Sequence, residues 1–138
     1  QNCYNIFDRT IEQNGLKAMS EKLGKGIICF SPLAQGMLSD RYLNGIPEDS
    51  RVRTDGRFLQ ESRLSEEVLG KIRELNEIAQ GRGQTLAEMA LAWLLKEEVI
   101  TSVLAGASKP SQILDNIKAV ENTSFTQDEI ETIDRISK

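Results

Sequence analysis

Hydrophobic positions along the chain fall into short segments whose period changes from two to about three and a half and back. The opening "QNCYNIFDR" is partly apolar and becomes turn-like after Tyr4, the pattern of a strand's end. From Thr10 to Leu23 the apolar positions Ile11, Leu16, Ala18, Met19 and Leu23 predict a helix, interrupted at Asn14–Gly15 and stopped by Gly24. "GIICF" at 26–30 is apolar throughout and too short for a helix, so it predicts a strand buried on both faces. Residues 31–64 show little periodicity and contain Pro32, Gly36, Gly45, Pro47 and Gly56, which predicts a long loop. Helical spacing returns at Val68, Ile72, Leu75 and Ala79, with Glu66 and Glu67 in the first turn and Gly81 and Gly83 as stops. Thr85 and Glu88 have the spacing of a capping box ahead of "LAEMALAWLLK", whose Trp93 is expected in the core. "ITSVLAGAS" at 100–108 predicts a second buried strand, and "KPSQILDNIKAV" a helix through Ile113, Ile117 and Val120. Thr126 and Glu129 repeat the capping box for a last helix, with Phe125 and Ile130 placed as a hydrophobic staple.

Strands alternating with helices imply right-handed parallel βαβ units, so the fold class is α/β. About three strand positions cannot close an eight-stranded barrel, but they fit half of one. No internal repeat and no low-complexity stretch divides residues 1–138, which read as one domain portion.

Composition narrows the function. Apolar residues make up 39% of the chain, enough to bury a core. The 17 Lys and Arg are scattered among 21 Asp and Glu, for a net charge of -4, which argues against a nucleic-acid surface. "TLAEMALAWLLKEE" is too acidic, and its apolar face too broad, for a DNA-reading helix. Neither an apolar run of about 20 residues nor a charged-then-apolar leader is seen, so the expectation is a cytoplasmic protein with no membrane partner. Cys3 and Cys29 lack any metal-binding spacing and are expected to be buried free thiols. Histidine is absent, which removes the commonest general base and the histidine triads. A chain that opens at Gln1 directly in structured sequence is expected to be a piece of something longer.

The chemistry-bearing residues gather at the two predicted strand ends, "SPLAQG" after the first apolar run and "GASKPSQILDN" after the second. In a parallel sheet both ends lie on one face. Ser108 stands at the start of a helix whose free amides suit a phosphate, with Gln112, Asp115 and Asn116 on its first turns. Arg41 and Arg51, in the loop that could cover such a ligand, supply the counter-charge. Neither a GxGxxG nor a Walker pattern is present.

"FSPLAQGMLSDRYLNGIPEDSR" together with "SVLAGASKPSQILDNIKAV" closely resembles the C-terminal half of the aldo-keto reductases. Within them it is similar to the bacterial branch related to glyceraldehyde 3-phosphate reductases and to potassium-channel β subunits. The resemblance covers essentially the whole chain and implies the C-terminal part of a (β/α)8 TIM barrel that binds NADPH across the carboxyl ends of its strands, with residues 31–64 as a cofactor-covering loop.

On that resemblance Gln1 holds the nicotinamide carboxamide, and Phe30 stacks on the nicotinamide ring. Ser31, Pro32, Leu33, Ala34, Gln35 and Gly36 line the ribose and pyrophosphate, while Arg41 and Arg51 contact the pyrophosphate from the loop. Gly106, Ser108, Gln112, Asp115 and Asn116 hold the adenosine 2'-phosphate and adenine. Arg41 stands where relatives often carry lysine, and Asp115 where they usually carry glutamate. The family's Asp, Tyr, Lys and His tetrad lies in the first half of the barrel, and no motif here matches it, so this chain alone is expected to be inactive. The implied function is the cofactor-binding part of an oxidoreductase reducing small aldehydes or ketones to alcohols. The alternative is a regulatory subunit that binds cofactor with little turnover. Association with the missing N-terminal half, or with a second copy, is expected from the two strand edges that half a barrel exposes.

Overall fold

The structure is a computed structural model and describes residues 1–46 and 64–138. Three strands, β1 (Asn2–Cys3), β2 (Ile27–Phe30) and β3 (Ile100–Leu104), form one parallel sheet in the order β1-β2-β3. Asn2 and Cys3 pair with Cys29 and Phe30, and Phe30 pairs in turn with Leu104. All three carboxyl ends therefore reach the same edge of the sheet.

Between β1 and β2 the stripe at 10–23 is two helices, α1 (Thr10–Gln13) and α2 (Leu16–Lys22), and not one. Gly15 breaks it by taking a left-handed conformation with φ of 82°. After β2 come two 3₁₀ turns, Ala34–Gly36 and Asp40–Tyr42. The chain returns as α3 (Glu66–Gly81) and α4 (Leu86–Leu95), which lead into β3. Helix α5 (Pro110–Ile117), a 3₁₀ turn at Lys118–Glu121 and α6 (Gln127–Ser137) complete the order.

Caps decide where the longer helices begin. The hydroxyls of Thr85 and Thr126 accept from the backbone N–H of Glu88 and Glu129, whose carboxylates accept in return from the threonine amides. Ser65 caps α3 by accepting from Val68 N–H. Phe125 and Ile130, the expected staple, are both partly buried against the core.

The core fills the space between the sheet's helix-facing side and α3, α4 and α6, with Ile72, Leu75, Leu86, Met89, Leu94 and Ile133 fully enclosed. At its centre Trp93 is completely buried, its ring 5.3 Å from that of Tyr4 at 47°. The Arg9 guanidinium lies 5.1 Å from the indole centroid and the Lys96 ammonium 4.0 Å. Arg9 is anchored by Asp134 at 2.5 Å and Glu12 at 2.9 Å, and Lys96 by Glu97 at 2.8 Å, so both cations are held over the ring by carboxylates.

The strands are not buried on both faces. Ile27 and Cys29 point into the core, while Ile28 and Phe30 are about 40% exposed, and in β3 only Ile100 is buried. Helices cover one side of the three-stranded sheet, and among the described residues no strand opposes its other side. Leu16 and Met19 on α2, Leu23 just after it, and Ile113, Ile117 and Val120 after β3 are also exposed despite their helical spacing. Cys29 is buried, whereas Cys3 is only partly so; both are free thiols.

A bulge joins β2 to β3: Ile27 pairs with Ile100 and Ile28 with Ser102, so Thr101 is the extra residue. Its side chain fills the space beside Gly26, where an added Cβ would lie 1.9 Å from Thr101 Oγ1 and 3.0 Å from its Cβ. Gly26→Ala is expected to destabilise the fold by about 1–3 kcal/mol, with part of the loss recovered in the Gly26→Ala/Thr101→Gly double variant. Urea unfolding of the three proteins checks both statements.

Candidate functional site

A groove opens at the carboxyl edge of the sheet, between the turn that leaves β2 and the segment that leaves β3. Its first section, about 400 Å³, is walled by Ser31, Pro32, Leu33, Gln35 and Gly36 on one side and by Leu104–Ser108 on the other, with Ser39, Arg41, Tyr42 and Gln112 closing it. A second section of about 440 Å³ shares Leu33, Ser39, Arg41, Gly106 and Gln112 with the first, and continues to Asp115, Asn116, Thr85 and Ala87. The two sections adjoin and are read together as one channel, with Arg41 and Gln112 among the five residues they share.

The wall leaving β2 is shaped by its backbone. Ser31, Ala34 and Gln35 have φ of 52°, 48° and 61°, and Gly36 follows at 92°. Left-handed conformations at residues with a Cβ cost about 1–2 kcal/mol each, so local hydrogen bonds must hold them. Ala34 N–H donates to the Ser31 carbonyl at 3.1 Å, and Gly36 and Leu38 N–H donate to the Leu33 carbonyl at 2.9 and 3.1 Å. Gln35 Nε2 donates to Ser31 Oγ at 3.2 Å, and Ser39 Oγ donates to the Gly36 carbonyl at 2.7 Å.

The opposite wall ends at the N-terminus of α5. Ser108 N–H, Ser108 Oγ and Lys109 N–H all converge on Gln112 Oε1, at 2.8, 3.2 and 3.1 Å. Three donors thus share one neutral acceptor at the positive end of a helix dipole, an arrangement that suits an anionic oxygen. One turn on, Asp115 accepts from Lys118 Nζ at 2.9 Å, which holds the lysine above its ordinary pKa.

Of the residues singled out from the sequence, Ser31, Pro32, Leu33, Gln35, Gly36, Arg41, Gly106, Ser108 and Gln112 line the first section, and Asp115 and Asn116 the second. Ala34 turns away, buried in the core. Phe30 presents its side chain on the open face of the sheet, at the last residue of β2. Gln1 precedes β1 and, by register, falls level with Ile28 on that same open face. Arg51 lies outside the described residues. Sequence reasoning passed over Ser39 and Tyr42, which carry no motif, and Lys109, whose amide joins the Gln112 cluster. It also passed over Asn5, which lies beneath the groove and not in it.

Tyr42 borders the groove, whereas Tyr4 lies in the core against Trp93. Burial, then the bond from its hydroxyl to Glu12, pushes Tyr4 far above the ordinary phenol range, and burial raises Tyr42 despite the nearby Arg41. Among the described residues no group of three or more Cys, Asp or Glu is placed to hold a metal ion, and no helix is long and apolar enough to cross a membrane.

The sequence model of the aldo/keto reductase family matches residues 1–138, the entire chain. The chain belongs to this family. An L-glyceraldehyde 3-phosphate reductase of Escherichia coli O157:H7 is 47% identical over 138 residues, and that of strain K12 is 46% identical. In both comparisons the alignment takes in 98% of this chain but only 40% of the relative, so the chain spans about two fifths of the length of these reductases. Solved structures agree on the fold. A glycerol dehydrogenase from Gluconobacter oxydans superposes with a TM-score of 0.75 at 27% identity, covering 96% of this chain and 40% of that one. The holo form of an aldo-keto reductase from Bacillus halodurans gives 0.70 at 27% identity, over 99% and 41%. The three-stranded sheet is therefore an incomplete part of an aldo-keto reductase TIM barrel, and the relatives are oxidoreductases.

Burial, reinforced by the Asp8 contact at Cys3 and by Cys3 itself at Cys29, pushes both thiols up to about 11. A raised thiol pKa means less thiolate at any given pH. At pH 8 each should carry roughly a hundredfold less thiolate than an ordinary cysteine, and iodoacetamide should alkylate both correspondingly slowly, the rate rising about tenfold per pH unit. A thiol that reacts at the rate of free cysteine would contradict this.

Proposed function

We propose that this chain is the cofactor-holding C-terminal part of an NADPH-dependent reductase that converts small aldehydes or ketones to alcohols. The observation that carries the reading is the channel itself. It joins the ends of two strands, and it is bordered by a guanidinium and by three donors converging on one acceptor.

The residues present fit an extended dinucleotide. Ser108, Lys109 N–H and Gln112 form the seat of the adenosine 2'-phosphate, with Asp115 and Asn116 beside the adenine. Arg41 would neutralise the pyrophosphate, and the Ser31–Gly36 turn would line it and the ribose; Arg51 lies outside the described residues. Phe30 offers its ring, and Gln1 its carboxamide, on the open face of the sheet where the nicotinamide would lie. When bound, the reduced cofactor supplies a hydride, and this chain's residues fix which ring face is exposed.

Proton supply falls elsewhere. No motif here matches the family's Asp, Tyr, Lys and His tetrad and the sequence has no histidine, so in this reading the segment contributes the seat and not the acid. The proton donor then belongs to the amino-terminal half of the barrel. That half is also the partner we assign to the uncovered apolar side chains away from the groove: Ile28 on the open sheet face, Leu16, Met19 and Leu23, and Ile113, Ile117 and Val120.

The full-length protein is expected to consume NADPH when given a reactive aldehyde, followed by loss of the reduced nicotinamide absorbance. Tight binding without turnover across a panel of carbonyls would instead make it a regulatory cofactor-binding subunit. Arg41→Ala is expected to weaken NADPH binding by roughly tenfold or more, the loss of one charge-assisted contact. An unchanged Kd in a fluorescence titration would remove Arg41 from the site.

A further inference from the structure

The channel's β2 wall depends on a residue that does not line it. Asn5 follows β1 and is 3% exposed. Its Oδ1 accepts from the backbone N–H of Phe7 at 2.9 Å and of Asp8 at 2.8 Å, which closes the turn after β1 together with reciprocal Asn5–Asp8 backbone bonds at 3.1 and 3.2 Å. Its Nδ2 donates at 2.9 Å to the carbonyl of Ser31, 26 residues away. The two amides facing Oδ1 and the carbonyl facing Nδ2 leave only one orientation for the carboxamide.

Ser31 is the residue whose backbone most needs such a hold. It carries a side chain at φ of 52° and directly precedes Pro32, which has no amide to anchor the peptide that joins them. Its carbonyl is fixed by Ala34 N–H from within the turn and by Asn5 from the turn after β1. Turning that peptide would swing Ser31, and Gln35 bonded to its hydroxyl, within the channel wall.

We propose that Asn5 is a positioning residue for the cofactor seat: its buried carboxamide holds the Ser31 carbonyl, and with it the left-handed turn, in the shape that binds the dinucleotide. The inference rests on the dinucleotide reading of the channel and adds to it a residue that touches no part of the ligand. Asn5→Asp is the informative change, because it keeps the acceptor for Phe7 and Asp8 while replacing the donor to Ser31 with an acceptor. Asn5→Ala would remove all three bonds and endanger the fold.

In the full-length protein, Asn5→Asp should raise the Kd for NADP⁺ and the KM for NADPH by about fivefold to tenfold, the loss of one hydrogen bond to a buried carbonyl. The KM for the aldehyde should stay near its original value. Ser31→Gly removes the penalty of positive φ, so the turn no longer needs the hold; Asn5→Asp placed in a Ser31→Gly background should therefore cost less than twofold. A wild-type Kd in Asn5→Asp overturns the proposal. So does an equal loss in both backgrounds, or parallel loss of cofactor and aldehyde affinity together with melting temperature, the mark of a general structural role. Failure of the unmutated protein to bind NADP⁺ or NADPH at all would instead overturn the dinucleotide reading.

Discussion

Parallel pairing of three strands is the constraint on which the rest depends. Because β1, β2 and β3 run the same way, each crosses to the next through helices, and each leaves the sheet at the same edge. Segments around residues 31 and 106, far apart in sequence, become two walls of one channel without a contact having to be built for that purpose. The helices that make the crossings pack on one side only. That places Trp93 and its flanking cations in the core and leaves the opposite side of the sheet to whatever closes the barrel.

Features set by neighbouring residues were legible in the sequence, and features set across distance were not. The capping boxes at Thr85 and Thr126 involve partners three residues apart, so spacing alone identifies them. Helix α3 follows the same logic at Ile72, Leu75 and Ala79, which are buried at helical intervals; in its first turns it is Leu69 that is buried, and Val68 is only partly so. "GIICF" is apolar at every position, which reads as burial on both sides; yet the side carrying Ile28 and Phe30 faces space that only other strands could fill. A strand's own residues carry no signal of whether the covering strands lie in the same stretch of chain. The stripe at 10–23 runs on through Asn14–Gly15, but the backbone turns at Gly15, and two short helices replace one.

The site divides along the same line. Its polar lining was legible because it collects at the two strand ends, where Pro32, Gly36, Gly106 and Ser108 interrupt apolar runs. Asn5 was not, since an asparagine after a strand is an ordinary turn former and only its partner 26 residues on gives it a second task. Ala34, in the middle of the lining motif, is buried in the core, which no local pattern announces.

The cluster around Gln112 also says something about how an anion would arrive. Ser108 and Lys109 do not present open donors; they are already satisfied by a carboxamide on the same helix. Occupation of that end is then an exchange of acceptors, one neutral and tethered, the other charged and free, and the number of satisfied donors need not change. Such an exchange draws its driving force from charge rather than from newly made bonds, so added salt weighs directly on affinity at this end of the channel.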